Sequence, residues 1–323
     1  MEYLHKPVLL KEALTFLHLA EGNNAIDCTL GEGGHSMEIL KVIASTHGAG
    51  KLLAIDLNAD TIERARERLA DYADHVVFEK DSFAHLSDIV SRNESFKQVH
   101  GILIDFGLST YELKEGGQGF SFEKDEPLDM RLDRSQDQTA ADVVNQWPED
   151  KLIWIFQEYS QENFSKYIAA EICRVRRQSK ILHSRQLTEI VLLAIRTKLG
   201  SKKKVPWVGG RHPATKVFQA LRIAVNNELE NVKNVLPQAL DTLRIGGRLV
   251  VISFHSLEDR IVKNYFRQES RDCLCPPERP TCTCNHTKRV RLLTKKVITP
   301  SDEEKKLNPA SRSAKLRAVE KIT

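Results

Sequence analysis

The stretch DCTLGEGGHS, Asp27 to Ser36, decides the fold. It sets a glycine-rich loop directly after the short apolar run NAIDCTL, the junction where a parallel α/β sheet holds a nucleotide-like ligand. Outward from it, strand and helix signals alternate. GHSMEILKVIAST has helical spacing, KLLAIDL reads as a strand, ADTIERARERLADY as a charged amphipathic helix, and HVVFEKD and VHGILIDFG as two further strands. This rhythm predicts right-handed crossovers and a mostly parallel sheet with helices on both faces.

The loop excludes some ligands. A phosphate-binding Walker loop needs Gly-Lys-Ser/Thr, and no Lys follows these glycines. A dinucleotide fingerprint needs a third glycine where Ser36 stands. The third option is S-adenosylmethionine, which needs close backbone approach and acids for its amine, ribose and adenine. Asp27, Asp56, Asp81 and Asp105 stand at or just past the ends of strands one to four. A parallel sheet brings all four to one edge, although any one of them could simply cap the next helix. Phe83 is placed to stack on an adenine or to join the core.

The α/β rhythm stops after residue 112. Residues 112–136 are rich in Gly, Asp and Glu, and from Ala140 to Leu199 the pattern is helical throughout. It resumes with the helix TKVFQALRIAVNNELENVKNVLPQALDTL, the strand RLVVISF, the helix EDRIVKNYFRQ, and two strands in RLLTKKVIT and KLRAVEKI. Between those two, Ser301 and Glu304 fit a capping box. The expected organisation is an α/β domain in two parts, 1–112 and 212–323, around a helical insertion, 113–211.

The chain has 323 residues, 41% hydrophobic and 28% charged, the composition of a soluble globular protein. No apolar run is long enough for a membrane span and the start does not read as a signal peptide, so a cytoplasmic protein with no membrane partner is expected. The net charge is only +4, but Arg174 to Arg211 holds eleven basic residues against Glu189 alone. That asymmetry suits a polyanion, or a solvated helix face. Of six cysteines, Cys273, Cys275, Cys282 and Cys284 form C-x-C-x6-C-x-C. Structural zinc and reduced thiols are the two readings of that cluster.

HKPVLLKEAL, DCTLGEGGHS, GFSF with PLDMRLD, ADVVNQW, HPATKVFQALRIAVNNEL, GGRLVVISFHSLEDRIVK and NPASRSAKLRAVE closely resemble the MraW (RsmH) family, from His5 to Glu320. The resemblance implies a Rossmann-like class I methyltransferase fold with an inserted all-helical substrate-recognition domain. It also implies methyl transfer from S-adenosylmethionine to the N4 amine of a cytidine in the decoding region of 16S ribosomal RNA. Family cofactor contacts fall on Gly33, Gly34, His35, Asp56, Phe83 and Asp105, with Glu112 where the family has Gln. The partners implied are 16S ribosomal RNA in the small ribosomal subunit and, as a further option, a second copy of the chain in a homodimer.

Most amino-methylating enzymes carry an Asn/Asp-Pro-Pro-aromatic turn after strand four; here DFGLS replaces it. Asp105 and Ser109 are therefore the first candidates to hold the amine, with His255 a third. Asp129 and Arg131 could meet the target base or order their loop. RNA contacts are expected from Arg211, His212, Lys216, Arg222, Arg312, Lys315 and Arg317. Two other classes stay open at this point. One is a non-enzymatic RNA-binding assembly factor; the other is a nicotinamide-dependent oxidoreductase, which Ser36 disfavours.

Overall fold

The computed structural model describes residues 7–45, 49–107, 116–200, 212–276, 278–279 and 281–323. The chain forms two compact units: residues 1–109 with 229–323, and residues 110–228.

The first unit is built on seven strands in the order β3-β2-β1-β4-β5-β7-β6. These are β1 (Ala25–Asp27), β2 (Leu52–Asp56), β3 (Val76–Lys80), β4 (Val99–Asp105), β5 (Leu243–Ser253), β6 (Val290–Leu292) and β7 (Lys315–Lys321). β3, β2, β1, β4 and β5 run parallel, and β7 is antiparallel to both neighbours. This is the mostly parallel sheet that the alternation predicted, and it is the Rossmann-like class I methyltransferase sheet that the resemblance implied.

Burial on both faces explains why these strands read as unbroken apolar runs. Alternate residues feed two cores. Ile26, Leu53, Ile102, Ile104, Leu249 and Val251 pack on one side beneath the helices Glu228–Thr242 and Ser256–Glu269. Ala25, Leu52, Ala54, Leu103, Val250 and Ile252 pack on the other, with residues of α1 (Leu10–Leu17), α2 (Gly34–Ile43) and α3 (Ala59–Arg68).

The second unit carries helices Ala140–Gln146, Glu149–Glu158, Ser165–Arg176, Ser184–Leu199 and Thr215–Asn226. Its buried stripes, such as Ile168, Ala169 and Ile172 or Leu187, Val191 and Ala194, follow helical spacing. Among the described residues no helix is long and apolar enough to cross a membrane.

The structure departs from the expected elements in three places. The long helix from Thr215 is two helices, because Asn227 adopts a left-handed conformation (φ 50°) that ends the first. Thr215–Asn226 belongs to the helical unit, so the second boundary falls at 228/229 where the sequence suggested 211/212. The strand expected from RLLTKKVIT shrinks to Val290–Leu292 and one later bridge, Ile298 to Leu316. The Thr294 hydroxyl accepts the Ala318 N–H at 3.0 Å and interrupts the ladder. At Ser301 only half the capping box forms. Ser301 Oγ accepts the Glu304 N–H, but Glu304 Oε1 accepts the distant Leu9 N–H at 2.7 Å.

Candidate active site

The parallel register puts the C-terminal ends of β1, β2 and β4 at one edge, with Asp27, Asp56 and Asp105 at their tips. The glycine loop lies there, pinned by backbone bonds. Cys28 N–H donates to Leu103 O at 2.9 Å, Leu30 N–H to Ile55 O at 2.9 Å, and Gly33 N–H to Leu30 O at 2.9 Å. Gly31 (φ 51°) and Gly33 (φ 75°) take conformations that other residues resist, and the region a Cβ of Gly31 would enter is open. Gly33 caps α2 with no side chain, so the first-turn amides of that helix face the edge.

Each edge carboxylate is tied to backbone or hydroxyl groups. Asp27 accepts Thr29 N–H at 3.1 Å and Ser36 Oγ–H at 2.7 Å. Ser36, the residue that spoils the dinucleotide fingerprint, thus has a place of its own. Asp56 accepts Gly31 N–H and Asn58 N–H, both at 2.9 Å. Asp105 accepts Gly107 N–H at 3.1 Å, and its own N–H donates to Thr29 Oγ1 at 2.7 Å.

Burial dominates the electrostatics. It pushes Asp27 up to about 6 against the Ser36 bond, and Asp105 up to about 7, where the nearby Asp27 and Glu258 charges add to it. Asp56 is raised for the same reason. Among the described residues no Lys or Arg pairs with any of the three. Glu32 on the glycine loop is also buried, and its Oε2 has no hydrogen-bond partner. Buried carboxylates without a cation favour a positively charged ligand and repel a pyrophosphate. That answers what the glycine loop holds: the donor set fits S-adenosylmethionine, with its sulfonium and ammonium, better than a dinucleotide.

The remaining cofactor candidates are placed as follows. His35 is buried at the first turn of α2, with Nε2 3.0 Å from Val8 O and Nδ1 3.9 Å from Asp105 Oδ2, beyond hydrogen-bond reach. A Cβ on Gly34 would come within 3.1 Å of Pro7, a tight contact that Pro7 would relieve by giving way a few tenths of an ångström. Phe83 is partly buried against one sheet face and stands 5.7 Å from the Phe106 ring, centroid to centroid. Asp81 is already engaged by Arg92 Nη2 at 2.8 Å, Ser82 N–H at 2.7 Å and His85 Nδ1 at 2.8 Å. Burial raises its carboxyl, but those bonds outweigh it and hold it below the ordinary range. Glu32 was not singled out in the sequence; its position between two glycines was the available signal. Ser109, Glu112 and Arg211 lie outside the described residues.

His255 caps a helix. Its Nδ1 accepts the Glu258 N–H at 3.3 Å, while Glu258 Oε2 accepts the N–H groups of Phe254 at 2.8 Å and His255 at 3.2 Å. This reciprocal box starts Ser256–Glu269. Its Nε2 lies 3.0 Å from Glu258 Oε1 but is not aligned for a hydrogen bond. His255→Asn keeps a capping oxygen. It is expected to retain kcat within about threefold, whereas loss of a general base costs about a hundredfold or more; single-turnover rates on both proteins decide between them.

Several cations expected on RNA are held by the protein itself. Arg131 forks onto Asp129, with Nε to Oδ1 at 2.7 Å and Nη2 to Oδ2 at 2.9 Å. Arg222 does the same on Glu228, at 2.7 and 2.9 Å. Arg317 bonds Asp259 at 2.7 Å, and Lys315 lies 3.6 Å from that carboxylate. Lys216 donates to Gln161 O at 2.8 Å, and His212 stacks on Phe122 with ring centroids 4.6 Å apart. Arg312 is exposed, as are Arg177, Lys180, Arg185 and Arg196 of the basic segment. The four clustered thiols, all within 4.8 Å of one another, stand on the loop between Glu269 and Val290.

A class I sheet with a glycine loop and a cation-seeking acid edge defines a methyltransferase. The chain belongs to the MraW methylase family, whose profile matches residues 2–322. It is 42% identical over 323 residues to the ribosomal RNA small subunit methyltransferase H of Carboxydothermus hydrogenoformans, covering 100% of this chain and 99% of that one. It is 45% identical to the protein of that name from Dehalococcoides mccartyi, over 100% of this chain and 88% of the relative. Among solved structures, a putative rRNA-methylase from Clostridium thermocellum aligns over 99% of this chain and 100% of that one, with 11% identity and a TM-score of 0.45.

Proposed function

We propose that the protein transfers a methyl group from S-adenosylmethionine to the exocyclic N4 amine of a cytidine in the decoding region of 16S ribosomal RNA, acting on the small ribosomal subunit in the cytoplasm. One observation of the structure carries the reading: the carboxylates of Asp27, buried, and of Asp56 and Asp105, half-buried, with no Lys or Arg partner among the described residues, line the glycine loop. The full-length match to relatives named for small-subunit ribosomal RNA supports the substrate class. The N4 position rests on the family resemblance.

When bound, S-adenosylmethionine would supply an electrophilic methyl group: the amine attacks its carbon in line, the sulfur–methyl bond breaks, and the neutral thioether S-adenosylhomocysteine leaves. The protein's part is to hold and to neutralise. Asp56, Glu32 and the first-turn amides of α2 hold the cofactor. The N4 lone pair of cytosine is delocalised into its ring, so an acceptor at the amine hydrogens helps it pyramidalise and then takes the proton. Asp105 fills that role. Its carboxyl, raised to about 7, is a stronger base than an ordinary Asp. The free-enzyme rate, kcat/KM, accordingly rises with pH to a plateau above about 7; a profile flat from about pH 5 to 8 would remove Asp105 from the proton transfer. Exposed cations of the helical unit, Arg177, Lys180 and Arg185, meet the RNA backbone, and the target base enters unstacked.

The test is transfer of labelled methyl from S-adenosylmethionine to small subunits lacking the modification, with the product nucleoside identified by mass spectrometry. N4-methylated cytidine, absent with Asp105→Ala, is the expected product. Cofactor binding with no transfer to subunits or free RNA would replace this reading with that of an RNA-binding assembly factor.

A further inference from the structure

We propose that Cys273, Cys275, Cys282 and Cys284 bind one zinc ion as a tetrahedral thiolate site that folds the loop between Glu269 and Val290. The proposal is independent of the methyl-transfer reading and stands if that reading fails.

Geometry comes first. Cys273 Sγ lies 3.5 Å from Cys282 Sγ and 3.8 Å from Cys284 Sγ, and Cys282 Sγ lies 3.6 Å from Cys284 Sγ. All four sulfurs fall within 4.8 Å of one another. A tetrahedron with zinc–sulfur bonds of about 2.3 Å has edges of about 3.8 Å, so these separations leave room for one ion at the centre. They are far longer than the roughly 2.05 Å of a disulfide.

The backbone is arranged to receive thiolates. Leu274, the middle residue of the first C-x-C pair, donates its N–H to Cys284 Sγ at 3.3 Å. Thr283, the middle residue of the second, donates its N–H to Cys275 Sγ at 3.3 Å. Cys275 N–H adds a bond to Cys273 Sγ at 3.4 Å. Each pair thus solvates a sulfur of the other, and such donors stabilise negative sulfur and orient it as a ligand.

The loop has little else to fold around. Among its described residues between Glu269 and Val290 none is a buried apolar side chain, and Leu274 is exposed. Its base is fixed, since Arg289 N–H donates to Glu269 O at 2.8 Å and His286 Nε2 lies 3.1 Å from Gln268 O. Above that base four thiols converge, three of them exposed and that of Cys275 half-buried. A segment without a core needs a cross-link to hold one conformation, and a thiolate metal site supplies it. Four sulfur ligands in tetrahedral array select zinc over hard cations, and the closed ligand set makes the role structural. Binding forms four sulfur–zinc bonds and releases the thiol protons to solvent, with no change of oxidation state.

The full chain, purified from zinc-supplied cells and dialysed against metal-free reducing buffer, is expected to retain stoichiometric zinc, released by a mercurial thiol reagent. Cys273→Ser with Cys282→Ser removes one ligand from each pair and is expected to bring zinc to background while cofactor affinity is unchanged. In case that variant folds poorly, the native chain is stripped with a chelator and reloaded with Co2+. Intense visible bands with near-ultraviolet thiolate charge transfer support a tetrahedral sulfur site; a weak octahedral spectrum overturns it. Iron in place of zinc, a chain purified from zinc-supplied cells that carries no metal and has four freely titrating thiols before any stripping, or zinc retained by the double variant would each overturn the proposal.

Discussion

Replacing Asp105 with Asn is expected to abolish most methyl transfer and, above about pH 7, to make the protein more stable. Burial, with the Asp27 and Glu258 charges, raises this carboxyl from 3.8 to about 7. The folded chain therefore holds the Asp105 proton more tightly than the unfolded chain does. Below about pH 4 the side chain is neutral in both states and costs nothing. As pH rises through the window from about 4 to about 7, the unfolded state ionises freely while the folded one resists, and stability is lost. Roughly three pH units at about 1.4 kcal/mol each set a ceiling of about 4 kcal/mol, and relaxation of the site reduces this to about 2 kcal/mol. Asn is neutral at every pH and keeps an oxygen for the Gly107 N–H. The melting temperature of the Asp105→Asn variant should match wild type near pH 4 and exceed it by several degrees at about pH 8. Without the proton acceptor, kcat/KM should fall about a hundredfold to a thousandfold. S-adenosylmethionine, whose positive charge offsets the ionised carboxylate, should stabilise wild type more than the Asp105→Asn variant. Calorimetry at both pH values with and without cofactor, beside the transfer assay, checks all three. Equal melting temperatures at the higher pH would refute the electrostatic account, whatever the activity.

That prediction also shows which part of the site was legible in sequence. Strand tips could be read because β1, β2 and β4 are buried on both faces and appear as apolar runs ending in Asp27, Asp56 and Asp105. The glycine loop was legible because its glycines stand where the chain needs positive φ. Partner choice was not. Nothing in one sequence reveals that Arg92, roughly 35 Å of extended chain beyond Asp81, folds back on helix α4 (Leu86–Arg92) to occupy that carboxylate, leaving Asp81 less available than its neighbours. His255 was a chemical candidate because it follows β5 and could reach the same sheet edge, although a lone His after a strand is more often structural; its role as a cap depends on Glu258 lying one turn along the helix, a spacing that SFHSLEDR does display. The second unit boundary was missed for a local reason. Apolar periodicity runs straight through Asn226, Asn227 and Glu228, and only the backbone of Asn227 breaks it. Paired Asn residues were the visible cue, since Asn enters the left-handed region more readily than most residues.

Arg131→Ala is expected to destabilise the helical unit by about 3 kcal/mol, and Arg131→Lys to recover only part of that. Beyond its fork on Asp129, Arg131 donates through Nη1 to the carbonyls of Arg134, at 3.2 Å, and Gln136. Its side chain and that of Asp129 are about four-fifths buried, at 20% and 22% exposure. The guanidinium thus closes the turn 129–136 on itself. On one side of it Met130 holds a left-handed conformation (φ 59°), with its carbonyl accepting Asn226 Nδ2–H at 2.8 Å; on the other, Leu132 N–H donates to Asn226 Oδ1 at 2.8 Å. Truncation leaves a largely buried carboxylate without its cation and the Gln136 carbonyl without this donor, the costly way to break such a pair. Lys restores the charge but cannot span two carboxylate oxygens and two carbonyls at once. The competing account, in which Arg131 reaches an RNA phosphate, makes the opposite forecast. In that case Ala would leave the melting temperature in place and reduce the salt dependence of RNA binding by about one unit of slope. Thermal melting of the Ala and Lys proteins, alongside RNA binding across a salt series, separates the two. A stable Arg131→Ala protein with a shallower salt slope would return this residue to the RNA interface.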